Sequence, residues 1–244
     1  MSRPLGDPVT LPAATRPSHT TLTGRTVKLV PLTVQHADDL FPLVNNTHPD
    51  QTSLWDYMPA EGPYSESDFA KFKSDISAKA TSTDPLFFAV LNIDTRHPQG
   101  EGEEEKALGY IALMNIVPDH LRLEIGHVLF TKPLQRTVEA TEAIYLLLKH
   151  SIEDLGYRRV EWKCNSLNAP SKRAAERLGF TLEGVFRQHL VVKGRSRDTA
   201  WLSLLREEWW GIRDLKGALE GWLAEGNFGE GGRQLRRLEE FRSV

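Results

Sequence analysis

Hydrophobic and polar positions alternate along the chain in segments that predict several β-strands. The segment RTVKLVPLT, residues 25–33, alternates and is rich in β-branched residues, so it predicts a first strand ending at Pro31. The apolar runs PLFFAVLNI and ALGYIALMNIV flank the acidic segment GEGEEEKA and predict a hairpin. LRLEIGHVLF alternates again, and it predicts the next strand.

Helical spacing of apolar residues predicts the elements between and after these strands. A first helix is predicted within residues 33–46, with Pro42 inside it, and a second follows a cap near Ser65 or Ser67. The longest predicted helix runs through VEATEAIYLLLKHSIEDLG and ends at Gly156. Beyond it, YRRVEWKC, FTLEGVFRQHLVV and DTAWLSLL predict strands, and APSKRAAERLG predicts a short helix.

The order of these elements is β α α β β β α β α β β, which predicts an α/β domain of mixed architecture. Residues 1–22 contain four prolines among small polar residues and predict an extended or disordered arm. The segment 23–210 carries the periodic elements and predicts the folded domain. Residues 211–244 predict a helical extension that contains the glycine-rich linker EGNFGEGG and the charged segment RQLRRLEEFR.

Composition excludes several classes of protein. A net charge of −3 and a pI near 6.3 provide no overall attraction to nucleic acid or to an anionic membrane. The single cysteine, Cys164, cannot form an internal disulfide or a thiolate cluster, and no metal site is expected. We see no apolar segment long enough to span a bilayer and no signal sequence, so a cytoplasmic location is expected.

Candidate chemistry begins at the junction LFTKPLQRTVEATEA, residues 129–143, where a strand leads through a short loop into a helix. The first amides of a helix lack intrahelical partners and, together with the helix dipole and Arg136, could hold a pyrophosphate. A connector with a solvated basic flank would have the same composition. Taken alone, this stretch does not distinguish the two interpretations.

A second candidate segment is NSLNAPSKRAAERLGF, in which Asn168 stands at a predicted helix N-terminus and Ser171 follows three residues later. A plain capping motif would look much the same. In combination, however, EIGHVLFTKPLQRTVEATEA, the NxxS…RLGF…EG pattern and RDTAW resemble the GNAT N-acetyltransferases, in particular the branch of the ribosomal-protein N-terminal acetyltransferases. The resemblance covers roughly residues 23–210.

The resemblance implies a GNAT fold, with a central mixed, mostly antiparallel sheet of about seven strands that splays between the fourth and fifth strands, flanked by helices. Acetyl-CoA, as the cosubstrate, is expected in that gap, with its pantetheine arm paired to a strand edge. The residues implied to bind it are Val128, Leu129, Phe130, Gln135, Arg136, Thr137, Val138, Glu139, Ala140, Thr141, Asn168 and Ser171. Among them, Arg136 is the expected charged contact to the pyrophosphate, and the expected backbone donors are the amides of Thr137, Val138, Glu139, Ala140 and Thr141.

The same resemblance assigns Glu124 as a general base acting through water, and Ser171 as a candidate proton donor to the departing thiolate. The alternative for Glu124 is a surface carboxylate paired with Arg122 or Arg187. An aromatic loop containing Trp55, Tyr57 and Tyr64 resembles a substrate-covering loop, and His127 stands where relatives often carry an aromatic residue. Each of these four side chains could equally be structural.

Two positions depart from the family pattern. Val138 replaces a loop glycine at which a positive φ is expected, and a β-branched residue avoids that conformation and narrows the geometries open to the loop. Ala175 replaces a tyrosine that acts as an acid in many relatives. The expected function is direct acetyl transfer to a primary amine, either a protein N-terminus or a small molecule. The alternative is a catalytically weak CoA-binding or interaction module, and a homodimer is possible in both cases.

Overall fold

The computed structural model describes residues 3, 5–59, 62–93, 105–211 and 213–242. Within them, eight strands form one sheet: Leu22–Thr23 (β1), Val27–Pro31 (β2), Leu86–Asn92 (β3), Ala107–Val117 (β4), Arg122–Phe130 (β5), Arg159–Asn165 (β6), Thr181–Val192 (β7) and Arg195–Leu205 (β8). The helices are His36–Val44 (α1), Pro49–Ser53 (α2), Phe69–Ala80 (α3), Val138–Lys149 (α4), Ala169–Leu178 (α5), Arg206–Trp210 (α6) and Leu215–Leu223 (α7). The predicted α/β fold is confirmed.

The sheet has one strand more than the seven predicted. The additional strand, β1, contains only two residues and is too short for a hydrophobic period to reveal it. The strand order is β1-β2-β3-β4-β5-β6-β8-β7, and all neighbours are antiparallel except β5 and β6. Most of the acidic segment that we expected to turn between β3 and β4 lies outside the described residues.

Helices cover both faces of the central strands, which explains the continuous apolar run in β3. Leu86, Phe88 and Val90 face the core on the side of α4, α5 and α7, whereas Phe87 and Ala89 face the core on the side of α1 and α3. Because successive side chains of a strand point to opposite faces, a strand buried on both faces must be apolar at every position.

A buried carboxylate attaches the long helix α4 to the start of β2. Glu142 is 5% exposed and accepts hydrogen bonds from the backbone amides of Arg25 and Thr26, both at 2.7 Å, and from the Thr26 hydroxyl. A Cβ atom on Gly24 would lie 2.6 Å from the Glu142 carboxyl carbon, so this turn needs a glycine. The contact fixes the helix whose N-terminus faces the cleft described below.

Both chain ends contact the domain. In the predicted arm, Ala14 is buried in the main core, and the amide of Thr15 donates to the carbonyl of Leu155 at 2.8 Å. In the C-terminal extension, α7 packs into the same core and the buried Asn227 donates to the carbonyl of Trp222 at 2.9 Å. The segment expected to be a flexible linker therefore folds back on α7, and the division of the chain at residues 22 and 210 stays a prediction.

The charged segment RQLRRLEEFR, expected to be a helix or tail, contains only a short 3-10 turn, Leu238–Phe241, within the part of the chain that the structure describes. Its one buried residue, Leu238, packs into the main core. One apolar anchor in a run of charges is too few to form an amphipathic face, which explains the absence of a regular helix here.

The hairpin of β7 and β8 projects from the sheet. The strand β7 is irregular, because its pairing with β8 shifts register between Leu182 and Gly184. At the hairpin tip, Lys193 Nζ donates to the carbonyl of Trp55 at 2.8 Å, so the hairpin reaches across to the loop before α3. Phe186 and Val191 are exposed on the outer strand, and the possible homodimer stays a prediction.

Candidate functional site

The site lies where the sheet splits. β5 and β6 are paired only from Arg122 and Arg159 to Glu124 and Glu161, after which the two strands diverge. These are the fourth and fifth strands predicted from the sequence, so the predicted splay is confirmed. The divergence opens a cleft of about 1430 Å³. Beyond Glu124, the edge of β5 that faces this cleft pairs with none of the described strands.

An irregularity in β5 shapes the wall of this cleft. One residue of β4 stands opposite two residues of β5, His127 and Val128, and His127 has a φ of 47°. A bulge of this kind leaves the extra residue outside the ladder and turns its backbone groups away from the neighbouring strand. The bulge therefore presents backbone along the cleft at the position where the sequence predicted a pantetheine-binding strand. The His127 ring lies 5.2 Å from that of Phe87, which favours a structural role for it.

The loop after β5 delivers the N-terminus of α4 to the cleft. Thr137 caps the helix, since its hydroxyl accepts from the amide of Ala140 at 3.2 Å and donates to the carbonyl of Leu134 at 2.7 Å. Gln135 donates its side-chain amide to the carbonyl of Phe130 at 2.9 Å. Both contacts order the loop, so the first-turn amides of α4 are held in position.

The geometry of this loop corrects the expectation about Val138. The left-handed conformation occurs at Arg136, with a φ of 63°, whereas Val138 is the first residue of α4 and half-buried against the core. A β-branched residue is tolerated there because the position does not require a positive φ. The valine in place of the family's glycine therefore does not distort the loop.

The number of predicted amide donors also needs correction. The amide of Ala140 is already bonded to Thr137, and Thr141 lies one turn into the helix, where amides bond to carbonyls four residues earlier. The amides of Val138 and Glu139 remain at the open first turn. An anion at this helix end would meet these two amides first.

Several arginines lie at the end of the cleft that contains the N-terminus of α4. Arg136, Arg173 and Arg177 line it, and the last two come from α5. Arg177 lies 4.8 Å above the Trp222 ring and donates to the Thr141 hydroxyl at 3.1 Å, and burial lowers its pKa. Sequence analysis missed both α5 arginines, because charged positions on a short amphipathic helix look like an ordinary solvated face.

The C-terminal extension contributes to this end of the cleft as well. Trp222, Phe228 and Gln234 line it, although they lie far along the chain from the motif segments. Trp222 is 3% exposed and belongs to the main core. No sequence motif pointed to these residues, and only the packing of α7 beside α4 and α5 brings them to the site.

On the opposite wall, α5 begins with the predicted asparagine and serine. Asn168 caps the helix by accepting from the amide of Ser171 at 3.1 Å, which leaves its side-chain NH₂ group as a donor for a ligand. Ser171 Oγ accepts from Trp162 Nε1 at 3.0 Å. This bond occupies a lone pair of the oxygen, and the hydroxyl hydrogen can be donated to the neighbouring Cys164 or to a ligand. Ala175, the second departure, is fully buried and supplies no polar group.

Glu124 is buried and held by two donors, which corrects the alternative interpretation of a surface carboxylate. It is 4% exposed, and its Oε2 accepts from Asn115 Nδ2 and from Lys163 Nζ, both at 2.7 Å. Arg122, one of the partners we considered, lies instead 3.7 Å from Glu161. Among the described residues, no hydrogen-bond donor reaches the second oxygen, Oε1, so this atom is available for an incoming group.

Lys163 lies between two carboxylates and was not predicted from the sequence. Its Nζ is 2.7 Å from Glu124 and 2.8 Å from Glu161, and 4.1 Å from the centre of the Trp201 ring. A lysine in the strand YRRVEWKC gives no signal of this role, because the two acidic partners come together only when β5 and β6 pair.

The predicted aromatic loop divides into two kinds of residue. Tyr57 lines the cleft and donates its hydroxyl to the carbonyl of Leu167 at 3.1 Å, across to the β6–α5 connection. Trp55 and Tyr64 are each 1% exposed and pack together in the core under α1 and α3. For these two, burial favours the structural alternative over contact with a substrate.

The described ranges contain neither a metal-binding cluster nor a membrane-spanning helix. No group of three or more His, Cys, Asp or Glu side chains is arranged to hold a metal ion. No described helix has both the length and the apolar character needed to cross a membrane.

Comparison with known proteins agrees with the geometry. The sequence profile of the Acetyltransferase (GNAT) domain family matches residues 26–181, well over half of the chain. The match begins at β2 and extends to the first residue of β7, so it includes the splayed strands, the N-terminus of α4 and all of α5. It ends before the RDTAW segment and the C-terminal extension.

Two solved structures share the fold at substantial identity. A GCN5-related N-acetyltransferase from Brucella melitensis is 41% identical, covers 94% of this chain and 96% of its own, and has a TM-score of 0.83. A GNAT-family acetyltransferase from Chromobacterium violaceum ATCC 12472 is 36% identical over 85% of this chain and 99% of its own, with a TM-score of 0.71.

A curated relative is YdaF of Bacillus subtilis (strain 168), provisionally named a ribosomal N-acetyltransferase. It is 33% identical over 103 residues, which are 42% of this chain. The match spans 56% of that relative, a little over half of its length.

Proposed function

This chain belongs to the GNAT acetyltransferase family, and we propose on that basis that it transfers the acetyl group of acetyl-CoA to a primary amine, directly and within a ternary complex. The observation that carries the proposal is the position of Glu124. The carboxylate is buried at the point where β5 and β6 diverge, with one oxygen anchored and the other open.

The residues around the cleft suit a CoA molecule. The unpaired edge of β5 can bond to an extended amide-containing arm as an additional strand would. The first-turn amides of α4 and the nearby Arg136 suit a pyrophosphate, and Asn168 offers its NH₂ group from the opposite wall. Acetyl-CoA, when bound, supplies an acetyl group activated as a thioester.

Glu124 prepares the acceptor. An amine attacks only as the free base, so a proton must leave its ammonium form, and Glu124 Oε1 is the open oxygen that can receive it, directly or through a water. Asn115 and Lys163 hold Oε2 and fix the orientation of the carboxylate. The backbone of the bulge at His127 and Val128 provides the expected donors for the carbonyl oxygen of the acetyl group.

Ser171 completes the proton transfers by relaying a proton to the leaving sulfur and taking a replacement from a solvent water, so that the serine ends neutral. Its hydroxyl lies in the cleft wall with Trp162 bonded to its oxygen, which orients the hydrogen away from the indole. Because Ala175 provides no acid, Ser171 is the hydroxyl that α5 offers to the cleft within the described chain.

Direct transfer is favoured over a covalent enzyme intermediate by the environment of the single cysteine. Burial raises the pKa of Cys164, and the hydrogen bond with Ser171 lowers it by less, so the thiol is protonated at neutral pH. A protonated thiol is a poor nucleophile. Cys164→Ser should therefore keep most of its acetyl-transfer activity, and a complete loss would indicate a covalent route.

The acceptor class is the finer part of the proposal. The relative named as a ribosomal N-acetyltransferase supports a protein N-terminus, and the open cleft also suits a small amine. The free, buried Cys164 supports a location in the reducing cytoplasm.

Radiolabelled acetyl-CoA incubated with a panel of N-terminal peptides, small amines and lysine peptides tests the proposal. We expect label in at least one amine product, abolished in Glu124→Gln. Calorimetry with CoA separates the failures. Bound CoA without transfer to any amine would favour a CoA-binding module, and no binding at all would contradict the assignment of the cleft.

A further inference from the structure

The RDTAW motif brings an arginine into the cleft that the proposed chemistry does not use. Arg197, near the start of β8, is half-buried and lines the cleft together with Lys163 and Asn165. Its neighbour on the same strand, Arg195, is exposed and lies outside the cleft lining. The fold therefore directs one of two closely spaced arginines into the site.

The side chain of Arg197 is anchored at one end only. Its Nε donates to the hydroxyl of Thr199 at 3.2 Å, and Thr199 is 1% exposed, with its hydroxyl 3.0 Å from His189 Nδ1. This contact leaves the two terminal nitrogens of the guanidinium for another partner. Within the described part of the chain, no Asp or Glu lies within ion-pair distance of Arg197, in contrast to Lys163.

A half-buried arginine without a carboxylate partner has an unfavourable solvation free energy. Burial lowers the pKa of Arg197, while Cys164 and Glu124 raise it by less. All three side chains line the cleft, so the guanidinium shares this cavity with the proposed base. A partly desolvated cation without a carboxylate partner destabilises the fold unless an anion binds to it. The pyrophosphate is not that anion, because its proposed site is at the N-terminus of α4.

We propose that Arg197 binds an anionic group on the acceptor, so that the preferred substrate is a primary amine that also carries a carboxylate. This inference rests on the proposed acetyl transfer and narrows its acceptor. Glu124 Oε1 would receive the ammonium end, and the fork of Arg197 would hold the carboxylate in two parallel hydrogen bonds. The carboxylate can belong to a free amino acid or to an acidic side chain next to a peptide N-terminus.

Other features of the same wall agree with an acceptor of mixed charge. Lys163 is already paired with two carboxylates, whereas Arg197 has no acidic partner among the described residues. The Trp201 ring, stacked on Phe186 with ring centres 4.6 Å apart, lies 4.1 Å from Lys163 Nζ and helps to hold that lysine beside its carboxylates.

Matched pairs of acceptors test the inference. Each pair has the same amine with and without a carboxylate: alanine and alaninamide, glutamate and glutamine amide, and the N-terminal peptides Asp-Ala-Ala-amide and Asn-Ala-Ala-amide. Initial rates with acetyl-CoA give the ratio of kcat/KM between the charged and neutral members. The variants are Arg197→Met and Arg197→Lys, and Arg195→Met is the control on the same strand.

We expect a preference for the charged member of about 10- to 100-fold in at least one pair, the range of a hydrogen-bonded charge pair. The amino-acid and peptide pairs then identify the source of the carboxylate. Arg197→Met should reduce the ratio to about one through a loss of kcat/KM that is much larger for the charged member than for the neutral one, and Arg197→Lys should restore part of the ratio. Arg195→Met should keep the wild-type ratio, and KM for acetyl-CoA should not change in any variant.

Three results would overturn the inference. The first is equal use of both members of every pair by the wild-type protein, and the second is an equal loss for charged and neutral acceptors in Arg197→Met. The third is a rise in KM for acetyl-CoA alone, which would assign Arg197 to the cosubstrate. Each of these leaves acetyl transfer intact. Absence of transfer to every amine would instead contradict the proposed function.

Discussion

The two walls of the cleft present different kinds of chemical group. The wall on the side of β5 and α4 offers mainly backbone groups: a strand edge, a bulge and the first amides of a helix. The wall formed by β6 and β8 offers side chains, with Lys163 bound to two carboxylates and Arg197 without one. A backbone site is fixed by the fold, whereas a side-chain site changes with single substitutions, so we expect cosubstrate binding in the first wall and acceptor specificity in the second.

The largest effect should come from the residue where the two walls meet. Glu124→Gln keeps the size of the side chain but removes the proposed base, and kcat should fall by about 100- to 10,000-fold. Because Glu124 takes no part in the proposed CoA contacts, the dissociation constant of CoA should change less than about threefold. Steady-state kinetics and calorimetry measure the two quantities.

Glu161→Gln is the matched control for that experiment. Glu161 contacts the same lysine at 2.8 Å and is 3% exposed, yet it lies behind the cleft and does not line it. We expect a much smaller change in kcat for this variant. Equal losses in both variants would mean that the ion pairs around Lys163, rather than a base, are what the reaction needs.

Replacing Arg136, one of the four arginines that line the cleft, should affect only the cosubstrate. Arg136→Met removes a charge at the N-terminus of α4 and should weaken CoA binding by about 10- to 100-fold, with kcat at saturation unchanged. Lys132→Met is the control, since Lys132 belongs to the same loop but pairs with Asp50 at 2.9 Å on the surface. A fall in kcat at saturating acetyl-CoA would show that Arg136 also acts after the cosubstrate has bound, which would contradict a role in cosubstrate binding alone.

The sequence predicted the backbone wall well because local patterns encode it. The alternation in LRLEIGHVLF, the short loop and the apolar face of α4 together determine where a strand edge meets a helix N-terminus. The errors in this sequence-based prediction concerned single residues of the loop and the first helical turn. The left-handed residue was expected at Val138 and occurs at Arg136, and two of the amides proposed as donors are engaged within the helix.

The side-chain wall was predicted poorly because its residues meet only through pairing between distant strands. Glu124, Lys163 and Arg197 stand on three strands, and nothing near any of them in the sequence indicates the other two. Trp55 was predicted to lie in a substrate-covering loop for a related reason. An aromatic residue near prolines looks like a surface loop, but its indole donates to the carbonyl of Val44 at 2.9 Å inside the core.

A smaller effect tests how firmly the helix N-terminus is held. Thr137→Val keeps the shape of the side chain but removes both hydrogen bonds of the cap, and it should lower the free energy of unfolding by about 1 kcal/mol. The midpoint of thermal unfolding should fall by about 2–4 °C. Thr81→Val, at the exposed C-terminal end of α3, should change it less. No shift in Thr137→Val would mean that the cap does not stabilise this wall.

The smallest effect concerns Val138 and decides whether the family's glycine matters for backbone conformation here. Val138→Gly should leave the dissociation constant of CoA within about twofold, because the residue already has helical geometry, and should cost about 1 kcal/mol of stability through chain entropy and lost packing. Arg136→Gly provides the contrast. It should remove left-handed strain without loss of stability and weaken CoA binding as Arg136→Met does. A strong gain of affinity in Val138→Gly would show that the valine, and not the charge at Arg136, limits binding at the backbone wall.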